Sequence, residues 1–150
     1  MLTIVFPCNG QRINSVNENT LKINNVIELN YSISAVTAII GQPTSISSEY
    51  WETIEENVEN HNYSNNIFQF VDGELKSFKL CSSEYSLKLG SYTLEIGSFI
   101  EELQSIFPYS FINKSDGYMA ININDGDYQY ILIEYDLIDY SIKSIEHRFY

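Results

Sequence analysis

Histidine and cysteine, the side chains most often used in metal sites and in catalysis, are scarce in this sequence. His61 lies in an Asn-rich segment and His147 lies near the end of the chain, and neither has a second ligand at metal-binding spacing. Cys8 and Cys81 match no zinc, haem or redox motif, and we expect reduced thiols rather than a disulfide. The sequence has no Gly-x-Ser-x-Gly elbow and no Gly-rich phosphate loop. We therefore predict a non-enzymatic protein with no catalytic residue, metal site or cofactor.

The segment 121–127 is superficially similar to a calcium-binding loop. It combines Asp125, Gly126 and Asp127 with two preceding asparagines. A calcium loop places its glycine sixth, which would put Ile121 at the first ligand position, where no ligand oxygen is available from the side chain. We therefore interpret Asp125-Gly126 as a hairpin turn.

The strongest chemical signal is negative charge beside aromatic side chains. Residues 23–75 contain eight acids and no Lys or Arg, and residues 115–142 contain six acids and no Lys or Arg. Such acids form either a solvated face or a surface that binds a cationic protein, where aromatic anchors supply contact area. The candidate partner-binding residues are Glu49, Trp51, Glu52, Glu55, Glu56, Glu59, Asp125 and Asp127.

The overall charge narrows the class of partner. The chain of 150 residues has a formal net charge of −12, which disfavours binding to nucleic acid or to an anionic membrane, since both need clustered Lys and Arg. A basic protein partner suits this charge. The N-terminus has no basic segment followed by a long apolar run, and no apolar stretch is long enough to cross a bilayer. We therefore expect a cytoplasmic protein.

In the first half, the pattern predicts one helix among antiparallel strands. A strand is expected over 2–6, a loop or weak edge strand over 8–19, and a hairpin that turns at Asn24-Asn25. Ser32 is expected to cap a helix whose apolar face is Ile33, Val36, Ile39 and Ile40, and Gly41 is expected to end it. Residues 49–59 fit a helix or a strand, and we predict a strand. An Asn-rich turn, then strands over 67–71 and 75–80 around Asp72-Gly73, complete this half.

The second half repeats much of this order. A hairpin is expected around Gly90-Ser91, followed by a helix over 98–107 that Ser98 caps, that carries Glu101 and Glu102 in its first turn, and that Pro108 stops. Strands are predicted over 117–124, 127–136 and 141–149.

Three stretches in fact recur about 67 residues later in the chain. The segment 21–23 returns as 87–89, the helix positions Ile33 and Val36 return as Ile100 and Leu103, and 75–78 returns as 142–145. We therefore predict an α+β fold in which two tandem ββ-α-βββ repeats (about 20–81 and 86–149) form antiparallel sheet with short helices packed on one face. Because the junction at 82–84 is short, we expect one domain, with an N-terminal strand and a single continuous sheet. Ile39 and Ile106 are expected to be buried.

Each repeat has an I-x-L-type strand, a short capped helix, then Gly-x-Pro or Pro, then antiparallel strands. In the first repeat these are 27–29, 33–40 and 41–43, and in the second they are 94–97, 100–107 and Pro108. This arrangement resembles the SmpA/OmlA outer-membrane-assembly lipoproteins and β-lactamase-inhibitor-like proteins. It is also similar to uncharacterised bacterial domains, some of which are immunity proteins of polymorphic toxin systems. The chain departs from the lipoproteins because it has no lipid-attachment site. The resemblance implies a binding face formed by tandem sheet.

These observations lead to one expected function and two alternatives. We expect an immunity protein that neutralises a cognate bacterial toxin by stoichiometric occlusion of a basic active-site cleft. The first alternative is a structural or assembly module related to the SmpA/OmlA proteins. The second is a metal-dependent enzyme that uses its acidic residues.

Overall fold

A computed structural model describes residues 13–125 and 128–149. In these residues the fold is mixed α+β, with 11 strands in two sheets and two short α-helices. The strands are β1 (Ser15–Val16), β2 (Lys22–Ile23), β3 (Ser45–Trp51), β4 (Glu56–Tyr63), β5 (Asn66–Val71), β6 (Glu74–Leu80), β7 (Ser86–Leu89), β8 (Tyr92–Glu95), β9 (Tyr118–Ile123), β10 (Gln129–Tyr135) and β11 (Ile142–Phe149). The helices are α1 (Ile33–Ile40) and α2 (Pro108–Ile112), and 3-10 turns cover Glu18–Thr20 and Ile100–Leu103. The predicted strand over 2–6 and Cys8 lie outside the described residues.

The larger sheet has eight strands in the order β1-β9-β10-β11-β6-β5-β4-β3, and the smaller sheet has the order β2-β7-β8. Strands from both halves of the chain share each sheet, but the expected single continuous sheet is wrong, because the short strands β2, β7 and β8 form a separate layer. All pairings are antiparallel except β1 with β9. The first half has four strands after its helix rather than the predicted three.

The predicted turns at Asn24-Asn25 and Asp72-Gly73 form, and all four residues adopt the left-handed backbone conformation. Asn24 and Asn25 have φ of 51° and 61°, and Asp72 and Gly73 have φ of 50° and 78°. Two successive positive φ values define the turn that matches the twist of antiparallel strands. In the first of these hairpins the returning arm makes only a bridge, between Ile23 and Ile27.

The first helix follows its sequence signals. The Ser32 hydroxyl accepts a hydrogen bond from the Ala35 N–H at 3.2 Å, and Gly41 ends the helix with φ of 88°. Val36 is fully buried, but Ile39 is 42% exposed, so its predicted burial is wrong. A helix of two turns buries only the side chains along one narrow face, and Ile39 lies at the edge of that face.

The predicted second helix is wrong in its bounds. Residues 100–103 form a 3-10 turn, and Pro108 begins α2 instead of stopping a helix. Proline is favoured at the first helical position because the N–H it lacks would have no partner there. The Ser98 hydroxyl donates to the Glu95 carbonyl and caps no helix. Ile100, Leu103 and Phe107 are buried, whereas Ile106 is 37% exposed and its predicted burial is also wrong.

Matching backbone hydrogen bonds hold the segment before each helical region against the last strand of its half. They run from Asn30 N to Leu75 O, Leu75 N to Tyr31 O and Ile33 N to Gly73 O in the first half, and from Gly97 N to Ile142 O, Ile142 N to Ser98 O and Ile100 N to Tyr140 O in the second. Each bond in the second set lies 67 residues after its counterpart. The strands β3, β4, β9 and β10 do not keep this offset.

The core lies on one face of the eight-stranded sheet, here called the core face. Register and strand alternation place Phe68, Phe78, Ile131 and Ile145 on this face, and all four are fully or almost fully buried. The two histidines, His61 and His147, also lie on the core face, each 2% exposed. The opposite face, here called the outer face, carries mainly polar side chains of the same strands. No helix in the described ranges is long and apolar enough to span a bilayer.

The burial pattern of the 3-10 region gives a paired test. Leu103→Ala removes a fully buried side chain, so we expect the free energy of unfolding to fall by about 2–5 kcal/mol, whereas Ile106→Ala, at a side chain that is 37% exposed, should lower it clearly less. Urea denaturation of both variants measures the difference. Equal losses of unfolding free energy in the two variants would contradict the placement of residues 100–107.

Candidate functional site

Residues 49–59 form the end of a hairpin rather than the single strand that the sequence predicts. The chain reverses at 52–55, where the Ile54 N–H donates to the Trp51 carbonyl at 3.3 Å and Glu55 is left-handed with φ of 55°. Because the turn lacks glycine and carries Glu55 at its left-handed position, its sequence gives no turn signal. Asn60 and Asn62, predicted in a turn, lie within β4.

The hairpin distributes the predicted acidic residues over three surfaces. Glu49, Trp51 and Glu56 lie on the outer face, because they share the alternation of Val58 and Asn60. Glu52 and Glu55 are exposed at the tip. Glu59 lies on the core face, where its carboxylate contacts the His61 ring. We refer to Glu49, Glu52, Glu55 and Glu56 together as the acidic hairpin.

A ladder of side-chain hydrogen bonds fixes Glu49. The Asn60 amide donates to the Glu49 carboxylate at 2.9 Å, and the Gln69 amide donates to the Asn60 oxygen at 3.0 Å. The amide of Asn60, followed by the indole of Trp51, lowers the pKa of Glu49 by donating to its charged form. Glu49 is therefore a positioned anion, whereas Glu52 and Glu55 extend into solvent.

Trp51 closes one side of a cleft on the outer face. Its ring lies 5.6 Å from the Phe149 ring, centroid to centroid, and it is half-buried. The cleft has a volume of about 270 Å³, and Tyr130, Glu146 and Arg148 also line it. Arg148 donates to the Glu146 carboxylate at 3.0 Å. The ring contact connects the hairpin of the first half to the last strand of the second.

The cleft exists because β6 and β11 separate. They pair only at Lys79–Glu146 and Leu80–Ile145. Farther along, the Ser77 hydroxyl donates to the His147 carbonyl at 2.6 Å in place of a backbone bond. A second cavity, of about 180 Å³, also borders His147 and Phe149.

His147 is held as a neutral ring in this gap. It stacks on Phe78 with centroids 5.7 Å apart, and its Nε2 lies 3.2 Å from the Gln129 side-chain oxygen. Burial lowers the pKa of His147 to about 4, because the charged ring would lose its hydration there. His147 therefore carries no charge at neutral pH.

Asp125 does not join the acidic hairpin. The turns 52–55 and 72–73 and the end of β9 all lie at one end of the eight-stranded sheet, as the antiparallel register requires. Asp125 nevertheless follows β9, and in the sheet order β10, β11, β6 and β5 lie between β9 and the hairpin strands. Its N–H donates to the Ser15 hydroxyl at 2.8 Å, and Asp127 lies outside the described residues.

The remaining side chains that could bind a metal or act as a nucleophile form no site in the described residues. Within 13–125 and 128–149, no three His, Cys, Asp or Glu side chains lie close enough to hold a metal ion. Cys81 is half-buried, and burial raises the pKa of its thiol, which makes it a poor nucleophile.

Sequence reasoning missed the contribution of β11 to this site. The alternation of Glu146, Arg148 and neighbouring aromatics in the last strand could have indicated a two-sided surface. In the sheet order, however, β6, β5 and β4 separate that strand from β3, so its contact with the hairpin is a long-range one that local patterns do not encode.

Comparison with known proteins yields no relative. No protein-family model, curated protein or solved structure matches the chain. The function must therefore be inferred from the chemistry of this surface.

The buried neutral His147 predicts a specific pH dependence of stability. The unfolded chain binds a proton at His147 near pH 6.5, but the folded protein does not until about pH 4, so stability present above pH 6.5 is lost as the pH falls. Between pH 7.5 and 5 this loss amounts to about 2 kcal/mol. His147→Gln should remove that part of the pH dependence, as measured by urea denaturation at both pH values. The same loss in the variant would contradict burial of a neutral ring.

Proposed function

We propose that this chain is a non-enzymatic binding protein that captures a cationic protein domain through the acidic hairpin. In the finer form of the proposal it is an immunity protein, and the hairpin occludes the basic active-site cleft of a cognate bacterial toxin. One observation carries the proposal: the acidic hairpin is solvent-exposed at the edge of the sheet, and no described cation pairs with it.

The distribution of ion pairs supports this proposal. Seven Lys and Arg side chains lie in the described ranges, and four of them pair with acids outside the hairpin. These pairs are Lys22–Glu28, Lys76–Glu74, Lys143–Asp136 and Arg148–Glu146. The acidic hairpin therefore concentrates like charges that repel one another in the isolated protein. A cationic partner would relieve this repulsion on binding.

The aromatic component supports a protein partner over simple solubility. Trp51 lies between Glu49 and Glu52 in sequence, remains half-exposed and borders the cleft with Tyr130. A tryptophan beside a concavity is the side chain most often found at the energetic centre of an interface. Charge would speed encounter, and the ring would slow dissociation.

We also propose that the chain contains two copies of one unit. Three backbone hydrogen bonds recur at an offset of 67 residues, and the Lys79–Glu146 pair between β6 and β11 joins positions separated by the same offset. On this proposal an approximate two-fold axis passes through that pair. β3 then is an elaboration of the first copy, because the axis relates β4 to β9 in the sheet order but relates β3 to β1, which lies before both copies.

The biological role can be tested by co-expression. The chain is expressed together with the protein encoded by the adjacent gene, and cell growth is measured. We expect the adjacent protein to arrest growth alone and this chain to restore growth. An adjacent protein that is harmless alone, or whose toxicity this chain does not reduce, would contradict the immunity role.

The charge contribution can be tested in the same pair of purified proteins. Replacing Glu52, Glu55 and Glu56 by Gln should slow association by roughly tenfold at low salt and leave the dissociation rate nearly unchanged, because long-range attraction acts mainly on encounter. Stopped-flow fluorescence of Trp51, the single tryptophan, measures both rates. The matched control replaces Glu84, Glu101 and Glu102, which lie elsewhere, by Gln. Equal association rates in wild type and the hairpin variant would show that these acids only solvate the surface.

A further inference from the structure

Within the described residues, β3 is an unpaired edge of the eight-stranded sheet, and Glu49 is its single charged side chain. Among residues 13–125 and 128–149 it is the last strand of the eight-stranded sheet and pairs with β4 alone, and six of its seven residues are exposed. Edge strands are normally blocked by proline, lysine, a bulge or a covering segment. Residues 45–51 contain no proline, lysine or glycine, and the register with β4 is continuous.

The hairpin geometry identifies which backbone groups face outward. The four-residue turn closes on the Trp51–Glu56 pair, with Ile54 bonded back to Trp51 and Glu55 left-handed. A closing pair exchanges its hydrogen bonds across the hairpin, and bonded and non-bonded pairs then alternate along the strands. The odd-numbered residues of β3 therefore bond to β4. Ile46, Ser48 and Tyr50 direct their N–H and C=O groups away from the sheet.

The side chains beside these groups favour an added strand of a particular character. Ile46 and Tyr50 are 57% and 58% exposed and lie on the same face of β3, two positions apart on either side of Ser48. Glu49 lies on the opposite face, and Glu52 follows at the tip. An incoming strand would meet apolar side chains on one face and carboxylates on the other.

We propose that an extended cationic segment of the protein partner adds to β3 as a ninth strand of the sheet. This inference rests on the proposed capture of a cationic partner and specifies how that partner docks. Main-chain hydrogen bonds to Ile46, Ser48 and Tyr50 supply the attachment, and alternating apolar and basic side chains supply the selectivity. A second copy of this chain is a poorer occupant, because each copy carries a net charge of −12 and pairing would bring the two sets of acids together.

The test uses the full chain and a synthetic probe. The probe is a nine-residue peptide in which Lys alternates with Val, with both ends blocked, and its control is the same peptide N-methylated at every second residue. We expect the probe to slow hydrogen exchange of the Ile46, Ser48 and Tyr50 amides by at least roughly tenfold, as measured by NMR. We expect the N-methylated peptide to bind at least roughly tenfold more weakly, because it cannot form the ladder while its charge is unchanged.

Matched variants of β3 test the same backbone hydrogen bonds from the protein side. Ser48→Pro removes an outward N–H and should weaken probe binding by at least roughly tenfold, while Ser48→Ala should change it by less than about twofold. Ser47→Pro removes an inward N–H and should instead lower the melting temperature. If Ser48→Pro also unfolds the hairpin, the binding of the two peptides to the wild-type chain shows whether the probe pairs with β3 through backbone hydrogen bonds.

The outcomes separate this inference from the proposed function. Equal binding of the two peptides, or probe binding without slower exchange in β3, would overturn strand addition but leave charge-driven capture intact. Probe binding that is insensitive to Gln at positions 52, 55 and 56 would instead count against capture by the acidic hairpin. A doubled mass in sedimentation that Ser48→Pro abolishes would assign the edge to a second copy and overturn the inference. Failure of the probe to bind would overturn it as well.

Discussion

The short pairing between β6 and β11 is the constraint on which the rest of the structure depends. Two residue pairs, Lys79–Glu146 and Leu80–Ile145, join strands from the two halves of the chain into one eight-stranded sheet. Past these pairs the strands separate, and Ser77 bonds to the His147 carbonyl where a ladder bond would otherwise form. The buried neutral histidine and both cavities lie in this gap. The two residue pairs therefore join the halves of the core, and the separation of the strands beyond them forms the cleft.

The acidic hairpin depends on this arrangement for its position. No described strand pairs with the outer side of β3, so little in the described sheet restrains the hairpin tip. The Trp51–Phe149 contact and the Glu49–Asn60–Gln69 ladder supply that restraint. A preorganised charged surface loses less conformational entropy on binding than a mobile one. The junction between β6 and β11 is thus linked to the geometry of the binding surface through the Trp51–Phe149 contact.

The sequence predicts those elements whose signals are local. Ser32 and Gly41 bound α1, Asp72-Gly73 forms its turn, and β9, β10 and β11 lie within the predicted strands, because capping, turn and alternation signals act over a few residues. The hairpin turn at 52–55 was missed because its left-handed residue is Glu55, a type that seldom adopts that conformation. Pro108 was interpreted as a stop although proline also begins helices.

The candidate site was predictable only in part, for a related reason. Charge density beside Trp51 is visible in the sequence, and Glu49, Glu52, Glu55 and Glu56 do lie together on one hairpin. Glu59 points toward His61 because both lie on the same face of β4. Which face each residue of β4 occupies depends on where the turn at 52–55 ends, and the sequence does not predict that turn. The separation of Asp125 from the hairpin depends on the order of strands in the sheet, which long-range pairing sets. The Trp51–Phe149 contact joins two strands that are not neighbours in that order.

The most direct test of the central claim is the association rate of the intact chain with the protein of the adjacent gene, measured against ionic strength. Charge-driven capture predicts that the rate falls by about tenfold or more as salt rises from roughly 0.02 M to 0.5 M, since the screening length shortens over that range, while the dissociation rate changes little. An association rate that is independent of salt would contradict the account.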